Sequence, residues 1–528
     1  MLSEPVIHPV ADTLMDAQAV ANMPLHRSGY VPSQHDIRAI RNAANGLPLL
    51  EDMINQEMRK LSNLKLAIWK QKALHNALAA PWRRLPLEIL SMIFVMALPN
   101  SWSRLPACKR TFNCMAVCVM WRNVALQTPQ LWTSLRFDRF TNTLKSHARS
   151  LATELRKSGQ LPLDLSIDLV FTPSMDAWSD EAWALLCAES HRWRRISLEK
   201  LPAVAYERLS GRVFPALQAL SIGHREASLT DLFLGVFNRQ SCQLTSLSIT
   251  YATHIHRLNL PASWPLTELE LDLMSDDLAE WTAVRGILVA YSATLRVCTI
   301  SGDLRNFKLT FEDAPIKLPC LEELTLVYEA IQLGQALECA NLQSLVLSGS
   351  GFPADDAVRD LKSFLDMSSG CKRLRSLTLR QLTRAPLDPL VDCLDRLPSL
   401  TDLELKNFED CPAPEQLLSL DLLWQLARDG TRPGSLTRLP NLERLSLIFE
   451  DTLYDEDESE YVLAIENISY SRQRPRMVGE TRLAPLKYLH PCDGMIKKLP
   501  NFERRGEKMR MLWPSTSVPW GCSTRYVD

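Results

Sequence analysis

The stretch LRSLTL, residues 374–379, decides how this chain folds. Leu377 and Leu379 stand two apart, which on an extended chain puts both side chains on one face. Leu374, three positions earlier, packs at the turn that enters the strand. The phrase recurs as LQALSI (217–222), LTSLSI (244–249), LTELEL (266–271), LEELTL (321–326), LQSLVL (342–347), LTDLEL (400–405) and LERLSL (442–447). Degenerate copies are WRRISL (193–198) and LRVCTI (295–300). The intervals run mostly from 21 to 32 residues. A phrase repeating at that period means one supersecondary unit stacked many times.

These copies form a leucine-rich-repeat array over residues 193–450. Between them, 276–290 (Leu278, Trp281, Val284, Ile287, Leu288) and 355–367 (Val358, Leu361, Phe364, Leu365) carry helical spacing and return the chain. Each unit buries its face only against its neighbours, so the array must be continuous and capped. A regular array wants asparagine just past the strand, but Gly223, Tyr251 and Gly349 stand there instead. Asn407 offers one rung of a partial ladder. The irregular loops predict an irregular solenoid with helical, 3-10 and loop returns. Strand residues between and after the leucines face the concave side: Ser221, Ser248, Glu270, Asp272, Thr325, Ser348, Thr378, Arg380, Glu404, Lys406 and Ser446. Glu270, Asp272, Arg380, Glu404 and Lys406 are the candidates for holding a target, and their mixed sign suits a protein surface rather than an acidic polymer.

N-terminal to the array, residues 136–192 read as a lead-in: an amphipathic helix over 142–158, then alternation over 161–169 that marks a strand. Before it, residues 81–135 hold two apolar helical segments, WRRLPLEILSMIFVMALP (82–99) and CMAVCVMWRNVALQTPQLWTSL (114–135). Pro86 suits a helix start, where its missing N–H is no loss. About fifty residues in short helices bury little surface alone, so so apolar a pair calls for a partner.

Those residues resemble an F-box, in the F-box-like form common in fungal proteins. Leu85, Pro86, Glu88, Ile89, Leu90, Ile93 and Phe94 carry the LPxEIL…IF opening, Val117, Cys118, Trp121, Arg122 and Ala125 the V-C-xx-W-R-xx-A element, and Pro129, Leu131 and Trp132 the trailing P-x-L-W. The resemblance covers about one tenth of the chain. It implies a substrate receptor that docks a Skp-type adaptor of a cullin-RING ubiquitin ligase, through Leu85, Pro86, Leu87, Ile89, Leu90, Ile93, Phe94 and Trp121. The alternative is a repeat scaffold that binds partners without a ligase, its apolar helices spent on capping the first repeat.

Residues 46–80 hold apolar side chains at alternating steps of three and four: Leu47, Leu50, Ile54, Leu61, Leu64, Ile68 and Leu78. That is a long helix with a heptad-like seam, suited to a coiled coil with a second copy or to packing on the helices that follow. Glu57, Gln71 and His75 interrupt the seam and favour the second option. Residues 1–45, with four prolines and one possible short helix over 11–21, read as a disordered tail.

The fold class expected is therefore α/β: a long helix, an F-box-like hairpin, then a leucine-rich-repeat horseshoe with a parallel concave sheet. A charged extension closes the chain over 451–528, with an acidic run (450–460) followed by basic residues. At 528 residues, 46% hydrophobic, 23% charged and net charge −2, the chain reads as an ordinary globular protein with no pull toward nucleic acid or membranes. The 13 cysteines lie singly and read as free thiols of a cytoplasmic or nuclear protein. No signal peptide or transmembrane run is visible. No nucleophile elbow, P-loop, dinucleotide or zincin motif occurs, so no catalytic residue, metal or cofactor is assigned and the chain is not read as an enzyme. His254 and His256 lack a third ligand, and Cys371, Cys393 and Cys411 lack a paired histidine.

Overall fold

A computed structural model describes residues 7–97, 114–138, 144–168, 179–199, 201, 203–223, 236–237, 243–252, 260–273, 278–302, 314–349, 357–382, 387–407, 417–429, 434–449 and 458–491. The chain divides into two compact units, 1–92 and 93–528.

In the first unit, α1 (Ile7–Val20) and α2 (Met23–Arg27) precede α3 (Gln34–Ala79), and α1 packs against α3. Helices therefore occupy part of what the sequence reading left as a disordered tail, and α3 begins well before residue 46. A capping box explains the start: Asp36 N–H donates to Ser33 Oγ (3.3 Å) and Ser33 N–H to Asp36 Oδ2 (2.9 Å). The Ser33 side chain, then Tyr30 Oη and the Ser33 N–H, hold the Asp36 carboxyl down at about 2. The helix runs on through Gly46 and Pro48. α3 buries none of its residues. At 46 residues it is about 69 Å long.

In the second unit the repeat phrases become strands. The ten strands that carry them are β3 (Trp193–Glu199), β4 (Ala219–Gly223), β5 (Ser246–Ala252), β6 (Glu268–Leu273), β7 (Val297–Gly302), β9 (Glu323–Tyr328), β11 (Ser344–Ser348), β12 (Ser376–Arg380), β13 (Asp402–Lys406) and β14 (Arg444–Ile448). They pair in parallel, each with the one before and the one after. β1 (Ser134–Asp138) and β2 (Leu163–Asp168) extend the sheet at one end and β17 (Tyr488–Pro491) at the other, giving thirteen strands among the described residues. The architecture is mixed α/β with a large parallel sheet and is compatible with a solenoid.

The leading leucines 217, 244, 266, 295, 321, 342, 374, 400 and 442 are all fully buried. The residue after each donates its backbone N–H to the previous unit: Gln218 to Arg194 O, Thr245 to Gln218 O, and so on to Lys487 to Glu443 O, each at 2.8 Å. That ladder fixes every strand in register. It also shows an eleventh phrase, LKYLHP (486–491), with a proline in the last apolar position. Returns between strands are helices such as Leu278–Ala290, Ala357–Met367, Leu387–Asp395 and Glu458–Ser471, or the 3-10 stretch Glu329–Ala336. A small pair, β8 (Ile316–Lys317) with β10 (Leu337–Glu338), and an antiparallel pair, β15 (Arg476–Val478) with β16 (Thr481–Leu483), lie outside the sheet.

The asparagine missing at position 349 has a steric cause. At Gly349 a Cβ would sit 2.5 Å from the Gln381 carbonyl O, so the position takes no side chain. Asn407 is 2% exposed, and its Oδ1 accepts from Leu418 N–H at 2.8 Å, joining strand to return. Asn407→Ala should cost about 1–3 kcal/mol by orphaning that buried N–H, read as a drop in urea midpoint.

Candidate functional sites

Two surfaces carry the residues singled out from sequence. The first is the face of α4 (Leu87–Met96), the helix within which the two units divide. Pro86 precedes it, and Leu90 N–H closes onto the Pro86 carbonyl at 3.1 Å. Leu90 and Phe94, one turn apart, are 1% and 6% exposed. Ile89, Met92, Ile93 and Met96 follow steps of three, one and three and form the other face, at 43%, 58%, 43% and 80% exposure. Leu87 at the first turn is also exposed, as is Pro86, and Leu85 is half-buried. The eight sequence candidates therefore separate into a buried set and an outward set.

Phe94 is tied to α6 (Val119–Gln127), where its ring meets that of Trp121 edge to face at 5.0 Å. Val124 and Ala125 of α6 and Leu131 of the 3-10 turn Pro129–Trp132 are buried, and Trp132 Nε1 donates to Ala125 O at 3.0 Å. Trp121 and Ala125 of the V-C-xx-W-R-xx-A element thus serve as packing. Val117 and Val119 are exposed. Sequence reading missed Met92, Met96 and Val119 as surface residues. The signal was the step pattern within α4, hidden because every position there except Glu88 is apolar or small.

The second surface is the open face of the sheet. Strand alternation sends Leu377, Leu379, Leu403 and Leu405 inward and leaves Thr378, Arg380, Glu404 and Lys406 on the other face. Register places Arg380 beside Lys406, and Arg380 reaches Glu404 at 2.7 Å. Glu404 thereby neutralises one of two adjacent cations. Glu270 and Asp272 lie on β6 beside Thr299 and Ser301 of β7. Four strand steps separate β6 from β12, roughly 19 Å, so the five candidates form two groups rather than one. Glu268, missed in the sequence reading, extends the first group to three acidic side chains on one strand. Asp402 pairs with Arg444 at 3.0 Å beside the second group.

The buried thiols of Cys187 and Cys298 are pushed up to about 12, and those of Cys371 and Cys393 to about 11, chiefly by burial. Burial of that kind leaves a thiol inert as a nucleophile at neutral pH. His254, His256, Cys411, most of the acidic run and the basic tail past 491 lie outside the described residues. Among the described residues no helix is long and apolar enough to cross a membrane.

No protein-family model matches this sequence, and no curated protein does. A crystal structure of the Rad7 and Elc1 complex in yeast is similar at 15% identity and a TM-score of 0.36, over 76% of this chain and 94% of that one. A score that low carries no argument, and the functional reading rests on the two surfaces themselves.

Proposed function

We propose that this chain is the substrate-recognition subunit of a cullin-RING (SCF-type) ubiquitin ligase. Its F-box-like helices hold a Skp-type adaptor, and an irregular leucine-rich-repeat horseshoe holds the target. The observation that carries this reading is α4, which faces solvent with five large apolar side chains while Leu90 and Phe94 already serve the core. An apolar stripe left outside on a short helix marks an interaction surface. The subunit performs no chemistry of its own; it raises the target's effective concentration near a ubiquitin-loaded enzyme. The acidic group on β6 suits a basic segment of that target.

Co-expression with a Skp-type adaptor tests the reading. Wild type should retain the adaptor through purification. Leu87→Asp and Ile89→Asp should each weaken retention about thirtyfold or more, as expected for an apolar anchor at an interface centre. Both side chains are exposed, so circular dichroism and melting should not change. A wild type that binds no adaptor, or variants that bind it undiminished, would leave the alternative of a repeat scaffold acting without a ligase.

A further inference from the structure

The seam of α3 is an apolar surface that the adaptor reading does not use. Leu61, Leu64, Ile68 and Leu78 are 51–66% exposed on a helix with no buried residue. α1 packs against α3, whose N-terminal half has half-buried Ile37, Ile40, Leu50 and Met53, yet Leu47 and Ile54 stay exposed there. We infer that α3 pairs with α3 of a second copy of this chain as an antiparallel coiled coil centred on Leu61 and Leu64.

The seam itself chooses the partner and its direction. Assigning Leu47, Ile54, Leu61, Ile68 and His75 to a positions puts Leu50, Glu57, Leu64, Gln71 and Leu78 at d. Antiparallel, a faces d: Leu61 meets Leu64 of the partner subunit and Leu47 meets Leu78 of the partner subunit, so apolar layers close the seam at its centre and at both ends. Each polar seam residue then faces an apolar one. Two of the three are already satisfied by their own helix. Glu57 Oε1 lies 2.6 Å from Lys60 Nζ, and His75 Nδ1 lies 2.8 Å from the Gln71 carbonyl O.

The flanking charges give the same answer. In the antiparallel pair, flanking Glu51 meets Lys72 of the partner subunit, twice by symmetry, and Lys65 meets Met58 of the partner subunit. In a parallel pair Glu57 would face its own copy, His75 its own copy, and Lys60 would meet Lys65 of the partner subunit. Like charges disfavour that arrangement. The broad apolar face of Leu47, Leu50, Met53, Ile54 and Met58 gives the N-terminal half room for both α1 and the second copy.

Light scattering on the size-separated full-length chain should give twice the chain mass at micromolar concentration. Leu61→Glu combined with Leu64→Glu should give the monomer mass, with melting and adaptor retention unchanged, which separates this result from the adaptor reading. Zero-length carbodiimide coupling should join Glu51 to Lys72. Those residues lie about 32 Å apart along one helix, so the link must run between copies. Glu51→Lys should weaken association roughly three- to tenfold, and adding Lys72→Glu should restore it. A monomer at every concentration, a dimer indifferent to the Leu61 and Leu64 changes, or a dimer without the Glu51–Lys72 link would overturn the inference.

Discussion

Trp193→Ala should remove about 3–5 kcal/mol and, more tellingly, should do so locally. Trp193 is fully buried, and its ring stands 6.0 Å from Trp183 and 5.5 Å from Phe214, which in turn lies 4.9 Å from Phe237. Successive units each add a ring to this column, so a cavity at Trp193 strips contacts from both neighbours. Each strand bonds only those beside it, and the damage should therefore fade with distance. Hydrogen exchange should show faster exchange across β2 to β5 and unchanged protection across β12 to β14. Uniform loss along the whole sheet would show a single cooperative block instead. Among the described residues Trp193 Nε1 has no hydrogen-bond partner, so Trp193→Phe should be much the milder change.

Arg472→Met should cost about 2–4 kcal/mol, and Arg472→Lys more. Arg472 is fully buried at the end of the helix Glu458–Ser471. Its Nε donates to Leu426 O at 2.7 Å, Nη1 to Leu439 O at 3.3 Å and Nη2 to Arg438 O at 3.1 Å. Burial first, then the guanidiniums of Arg428 and Arg438, push its pKa below the ordinary arginine range. The planar fork reaches three carbonyls on two neighbouring segments, which an ammonium group cannot do from one point. Methionine orphans those carbonyls but removes the buried charge, offsetting part of the loss. Lysine keeps the charge and loses most of the bonds. The order of urea midpoints, wild type above Met above Lys, checks the argument; Lys above Met would refute it.

Arginine bonding of this kind was not legible in sequence, because an arginine in a return looks like any solvated cation. The ten phrase-bearing strands were legible for the opposite reason: two apolar residues at spacing two with a leucine three before are enough to define strand, face and turn. β1 (SLRFD) escaped because Leu135 and Phe137 come without that leading leucine. β8 and β10 are too short to show any period. At α4 the sequence supplied the apolar residues but not their division, since Leu87 through Phe94 offer nearly every face a hydrophobic side chain. Burial of Leu90 and Phe94 resolved it. For α3 the three polar seam residues argued against a coiled coil, and the bonds that Glu57 and His75 make within their own helix remove much of that objection.

The order of the strands has a consequence for how the protein is made. From β1 to β17 the sheet grows in the order in which the chain leaves the ribosome, every strand docking on the edge its predecessor has just built. No strand waits for a distant one, which keeps contacts short in sequence and closure costs small. The edge open at any moment is one strand wide and is covered by the next to emerge. On the last described strand stands Pro491, which lacks the N–H that a further strand would need to continue the ladder.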